Sequence, residues 1–232
     1  MSDLVRFYSL LAMLAQCPWQ GRQLSELSGK HGWPHRGVYF IQEPGEYRAG
    51  AAHTQRVVRV GTHAVSANSN STLWGRLRAH RGTRNGGGNH RGSIFRLHVG
   101  AALLARDHGD HPTWGVGSSA PKHTRDQEGK LEHLVSTTIS EMTVLWVDVP
   151  DEPSAGSARA TIERNSIALL SGGFVPVDPP SEQWLGRESP KDTIRRSGLW
   201  NLNHVSDQYD PRFLDILERW ILHTCASNAR AV

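Results

Sequence analysis

Apolar residues along this chain recur with two different periods, and the two periods separate helices from strands. Leu4, Tyr8, Leu11 and Ala15 predict a helix over residues 3–16, and a second short helix is expected over 23–30. Residues 37–42 (GVYFIQ), 56–61 (RVVRVG) and 143–149 (TVLWVDV) are short, β-branched and aromatic, and they read as strands. The first two should form a hairpin across the turn or loop EPGEYRAG. Residues 62–71 read as a polar loop, after which Ser71 or Thr72 can cap a helix running to about Arg81. Further helices are predicted over 93–104, 124–142 and, most clearly, 158–170. A final amphipathic helix spans 210–224, and its stripe of Phe213, Leu217, Trp220 and Ile221 faces the core or a second copy of the chain. This order predicts an α/β layer with one small sheet flanked by helices, with no internal repeat and no long linker.

Composition narrows the class. At 232 residues, with 38% apolar and 21% charged residues, the chain is a globular protein rather than a disordered one. No uninterrupted apolar run of about 18 residues exists, so no membrane partner is expected. The N-terminal apolar stretch is short and follows Asp3, which suits an amphipathic helix better than a signal peptide. Cys17 and Cys225 are too few for a disulfide framework or a cysteine zinc site, so the expected compartment is the cytoplasm.

Charge changes the picture further. The net charge is +4, but no Asp or Glu occurs between Glu46 and Asp107, a window that carries +10 while the rest carries −6. Its ten basic residues are all arginines, which suit bidentate phosphate contact. A nucleic-acid surface and a plain solvated basic face both fit this composition.

Candidate chemistry lies in and around that window. Arg76 and His80 are four apart on one helix face and offer a cation for phosphate oxygens and a base for a nucleophile. An exposed Arg/His pair is the plainer alternative. Glu163 lies beside the apolar stripe of the 158–170 helix, where a carboxylate needs a charged partner. That partner is a divalent cation or a neighbouring Arg159 or Arg164. Tyr39, taken alone, is an ordinary strand tyrosine. HGDH (108–111) and the loose pattern NHRGSIFRLH with NLNH lack the ligand spacing of a zinc or ββα-metal site.

Read in order, these residues resemble the GIY-YIG nuclease superfamily over roughly residues 36–171. Gly37-Val38-Tyr39 stands for the first motif triplet and Arg59-Val60-Gly61 for the second. Arg76 and His80 match the helix arginine and the histidine one turn later, His90 a histidine that some members carry, and Glu163 the metal-binding glutamate. The resemblance implies a central three-stranded antiparallel sheet flanked by helices, with helical extensions over 1–35 and 172–232 and an insertion over 101–142. It also implies DNA hydrolysis with one Mg²⁺ or Mn²⁺ held by Glu163, Tyr39 orienting water, His80 accepting a proton and Arg76 neutralising the scissile phosphate. The sequence departs from the family at Arg59, where a tyrosine is usual, and in having no asparagine soon after Leu170; Asn203 is the later candidate. Arg59 cannot act as a base near neutral pH but can bind phosphate.

The expectation is a metal-dependent DNA endonuclease, with a restriction or anti-phage role by analogy to compact family members. Arg78, Arg81, Arg84, Arg91 and Arg96 are the expected nucleic-acid contacts. RNA remains open as a substrate, as do a homodimer and a defence-complex partner. The alternative, motivated by Arg59, is a non-catalytic nucleic-acid-binding subunit of a larger complex.

Overall fold

The computed structural model describes residues 2–63 and 69–229, so the middle of the polar loop expected over 62–71 lies outside the described residues. At the centre is an antiparallel sheet of β1 (Arg22–Gln23), β2 (Gly37–Arg48), β3 (Ala51–Thr62) and β4 (Thr143–Asp148), in the order β1-β4-β2-β3. Around it lie α1 (Asp3–Ala15), α2 (Leu73–Arg81), α3 (Ile94–Arg106), α4 (Lys122–Ser140), α5 (Ala158–Ser171), α6 (Asp192–Ser197) and α7 (Phe213–Ala229).

The sheet has four strands where the family resemblance implied three. The extra strand, β1, falls where the sequence predicted the start of a helix over 23–30. The backbone there bonds to the edge of β4, with Gly21 N–H on Val144 O at 3.1 Å and Leu24 N–H on Met142 O at 2.9 Å. Those long-range bonds satisfy the donors that a helix would otherwise have used.

The β2–β3 hairpin is also longer than predicted. Most of EPGEYRAG is strand, and the chain reverses at Ala49–Gly50, where Gly50 takes a φ of 74°. Distant residues hold this extension in place. Glu46 accepts from Arg56 at 2.7 Å, Arg48 pairs with Asp178 at 2.7 Å, and the indoles of Trp184 and Trp200 donate to Glu43 at 3.0 and 3.1 Å.

Both faces of the sheet are buried, which is why its strands read as nearly unbroken apolar runs. Val38, Phe40, Val60 and Val147 point to a core shared with α1, α5 and α7; Tyr39, Ile41, Val58 and Trp146 point to one shared with α2, α3 and α4. In α7, Phe213, Leu217 and Ile221 are buried in the first core, which settles the direction of that stripe. Cys17 and Cys225 form a disulfide between the end of α1 and α7. Among the described residues no helix is long and apolar enough to cross a membrane.

Side-chain caps set where three helices begin. Thr72 Oγ1 accepts the Gly75 N–H, Ser93 Oγ the Arg96 N–H and Ser157 Oγ the Ala160 N–H, at 3.1, 3.3 and 3.2 Å.

Candidate active site

The hairpin register sets Tyr39 directly opposite Gly61. A Cβ on Gly61 would lie 2.2 Å from the Tyr39 hydroxyl, so only glycine leaves room for that side chain. Gly37 is needed for a different reason: its Cβ would lie 2.4 Å from the Val147 carbonyl oxygen of the neighbouring strand. The two motif glycines are therefore steric requirements of a tightly packed tyrosine and of close strand pairing.

Tyr39 meets His80, whose Nε2 is 2.8 Å from the hydroxyl, and His80 Nδ1 is 2.7 Å from Ser93 Oγ. Tyr39 and His80 are fully buried. Burial holds the His80 pKa well below its ordinary value, helped by the positive charges of Arg59, Arg76 and Arg96. His80 is thus neutral. In the tautomer that donates Nδ1–H to Ser93, Nε2 accepts the Tyr39 O–H, the direction that proton transfer from tyrosine requires.

Beside β3 is a cleft of about 400 Å³, lined by neither Tyr39 nor His80. Arg59, Arg76, His98 and Glu163 line it together with residues 200–204 of the C-terminal segment. That segment runs along β3: Trp200 N–H donates to Val58 O at 2.8 Å, and Asn201 both accepts from Val60 N–H and donates to Val60 O, at 3.1 and 2.8 Å. Asn201 is therefore spent on backbone, whereas Asn203 is exposed at the cleft.

Glu163 Oε1 accepts the Thr62 N–H at 3.1 Å, and Arg159 turns away to pair with Asp151. Burial raises the Glu163 pKa, against the opposing pull of the Thr62 N–H, Arg59, His204 and Arg76. Arg59 donates through one terminal nitrogen to Trp200 O at 2.8 Å and lies 4.9 Å above the Phe95 ring. Among the described residues no three of His, Cys, Asp and Glu converge on a metal position. A cation at Glu163 would have one protein ligand and otherwise water and substrate oxygens, a donor set that suits Mg²⁺.

Other expected residues go elsewhere. His90 does not join the cleft: Nδ1 pairs with Glu132 at 3.0 Å, Nε2 accepts the Gly115 N–H at 3.1 Å, and the ring stacks on Trp114. Arg96 is wholly buried against Glu132, Ser136 and the carbonyls of His80 and Glu132. Arg91 forms a two-pronged pair with Glu128 at 2.6 and 2.7 Å, its side chain 3% exposed. Arg81 is buried, donating to Leu27 O at 2.6 Å. None of these three arginines is free for a nucleic-acid backbone; Arg78 and Arg84 are exposed.

A sequence model of the GIY-YIG domain matches residues 1–227. The chain belongs to the GIY-YIG family. The match takes in both terminal segments as well as the two motif strands, and membership makes a nuclease-like function the general expectation. No curated protein and no solved structure matches the chain.

Two cleft histidines of this GIY-YIG domain, His98 and His204, end the segments NHRGSIFRLH and NLNH, which sequence reasoning weighs only as a ββα-metal pattern and does not assign to this site. His98 flanks the buried Phe95–Val99–Ala102 stripe of α3, which is the signal that was available. Burial and Arg59 push its pKa down to about 4. His204 adopts a positive φ of 65° and bonds Asp207 at 2.8 Å, features invisible without the fold.

Proposed function

We propose that this chain is a divalent-metal-dependent endonuclease that hydrolyses DNA phosphodiester bonds, with a role in restriction or anti-phage defence. The observation that carries the reading is the cleft beside β3, where Glu163 and the guanidinium groups of Arg59 and Arg76 line one space, and where both arginines act electrostatically on His80 of the buried Tyr39–His80 pair.

In this reading Arg76 holds non-bridging oxygens of the scissile phosphate, and Arg59 adds positive charge where the family has a tyrosine. Glu163 would hold Mg²⁺ or Mn²⁺, which when bound supplies charge neutralisation at the phosphate and the leaving oxygen. Tyr39 orients the attacking water, and His80, neutral and pinned by Ser93, takes the proton that the hydroxyl passes on. Water attacks phosphorus, and the bond to the 3′ oxygen breaks. Tyr39 has no exposed surface, so in this reading substrate engagement must open a path from the cleft to its hydroxyl while the bond to His80 is kept.

Plasmid and phage DNA incubated with Mg²⁺, Mn²⁺ or EDTA, beside an RNA control, tests this. Metal-dependent cutting should disappear in Glu163→Ala and Tyr39→Phe; unchanged cutting by Glu163→Ala sinks the assigned site. Phage DNA of differing base modification tests the defence role through which substrates are cut. A second reading, a non-catalytic nucleic-acid-binding subunit, is favoured by the sealed Tyr39–His80 pair and by Arg59. Binding without cutting under every metal supports it.

A further inference from the structure

Two buried nitrogens in the wall of the cleft have no hydrogen-bond partner: Arg59 Nε and His98 Nε2. Arg59 is 6% exposed and His98 3%. They come from different elements, β3 and α3, yet both side chains line the same space. Their charges interact, since Arg59 is one of the groups that depress the His98 pKa. The carboxylate in that cleft, Glu163, accepts the Thr62 N–H.

An unpaired buried N–H costs about 1–3 kcal/mol, and the large majority of buried side-chain polar groups in native proteins find a partner. Two orphans in one cleft point to an acceptor that arrives from outside. A neutral imidazole protonated at Nε2 can donate, and a guanidinium adds a permanent positive charge. An acceptor that satisfies both is therefore an anion with several oxygens. Both nitrogens are shielded from bulk water, so an anion reaches them only from within the cleft that their side chains line.

We propose that Arg59 and His98 form an anion subsite that binds a backbone phosphate of the nucleic acid beside the one held by Arg76, a role that rests on the nuclease reading for its ligand. The subsite gives the arginine at the second motif a positive function as a phosphate anchor. It also makes His98, rather than His90, the α3-side histidine that meets substrate.

Inorganic phosphate titrated into the full chain carrying ¹⁵N-labelled histidine tests this without metal or turnover. The ring resonance identified by its loss in His98→Gln should shift saturably with phosphate and stay fixed with equal ionic strength of sodium chloride. Duplex DNA binding, followed by fluorescence anisotropy in EDTA, should weaken about tenfold in His98→Gln and in Arg59→Gln. The double variant should lose clearly less than the hundredfold that independent contacts would give, because both donors grip one anion. An unmoved His98 resonance, or unchanged DNA affinity in a folded His98→Gln, overturns the subsite. The resonance experiment uses the unaltered chain, so it decides the matter even where Arg59→Gln misfolds. Metal-dependent cutting with an unmoved His98 would leave the nuclease reading standing and remove the subsite; a phosphate-responsive His98 in a chain that cuts under no metal would do the reverse.

Discussion

A Cβ built on Gly61 would lie 2.2 Å from the Tyr39 hydroxyl oxygen, because strand register sets the two residues directly across from each other. Gly61→Ala should therefore expel the tyrosine from its position against His80. We expect loss of cutting together with a stability cost of about 1–3 kcal/mol from overpacking. Tyr39→Phe should also stop cutting but cost only about 1 kcal/mol for the lost hydrogen bond. Thermal melts beside a cleavage assay separate the two, and a fully active Gly61→Ala would refute the steric argument.

Ser93 caps α3 and holds His80 Nδ1 at 2.7 Å. Ser93→Ala should cost about 1 kcal/mol for the cap and free the imidazole to adopt either tautomer. Cutting should fall about tenfold or more beyond what lost stability explains, with Ser93→Thr recovering part of it because threonine also caps. Equal rates in the three proteins at a temperature where all are folded would leave Ser93 as a cap alone.

Three buried histidines set the acid side of the stability profile. Burial holds His80 well below its usual pKa and puts His63 and His98 at about 4. The unfolded chain takes up protons near pH 6.5 while the native chain does not, so stability falls as pH drops below that value. Each histidine contributes a slope of at most about 1.4 kcal/mol per pH unit. Glu163 acts in the opposite direction: its raised pKa means stability is lost as pH rises through the carboxylate range. Melting temperatures between pH 7 and pH 5 should drop, and His98→Gln should flatten the decline; an identical profile contradicts its buried neutral state.

The exposed arginines should behave differently from the buried ones. Arg78→Ala and Arg84→Ala are expected to weaken nucleic-acid binding and reduce its salt slope by about one each. Arg96→Ala removes the guanidinium from the buried Glu132, leaving it only His90, and should cost about 3–5 kcal/mol. A changed salt slope in a well-folded Arg96→Ala would count against this division.

The Cys17–Cys225 disulfide joins the two terminal helices, which pack on the sheet face opposite Tyr39. Reduction, or Cys17→Ser, should lower stability by about 2–4 kcal/mol. Cutting below the melting transition should be unaffected, and its loss there would tie the terminal helices to the cleft.

The sequence by itself determined the strands at 37–42, 56–61 and 143–149, most of the helices, and the family, because these depend on short-range patterning and on an ordered set of motifs. It also indicated Arg76 and His80 as neighbours, since four residues on a helix is a local distance. Only the tertiary structure decided which charges are free. The 47–106 window is acid-free along the chain but not in space: Arg48, Arg56, Arg91 and Arg96 find Asp178, Glu46, Glu128 and Glu132, all from outside it. The same holds for the histidines, where His90 is consumed by Glu132 and Gly115 while His98 lines the cleft. Helical and strand periods record local geometry, whereas the partner of a charge is set by contacts between residues tens to hundreds of positions apart, and those exist only after the two cores have closed on the sheet.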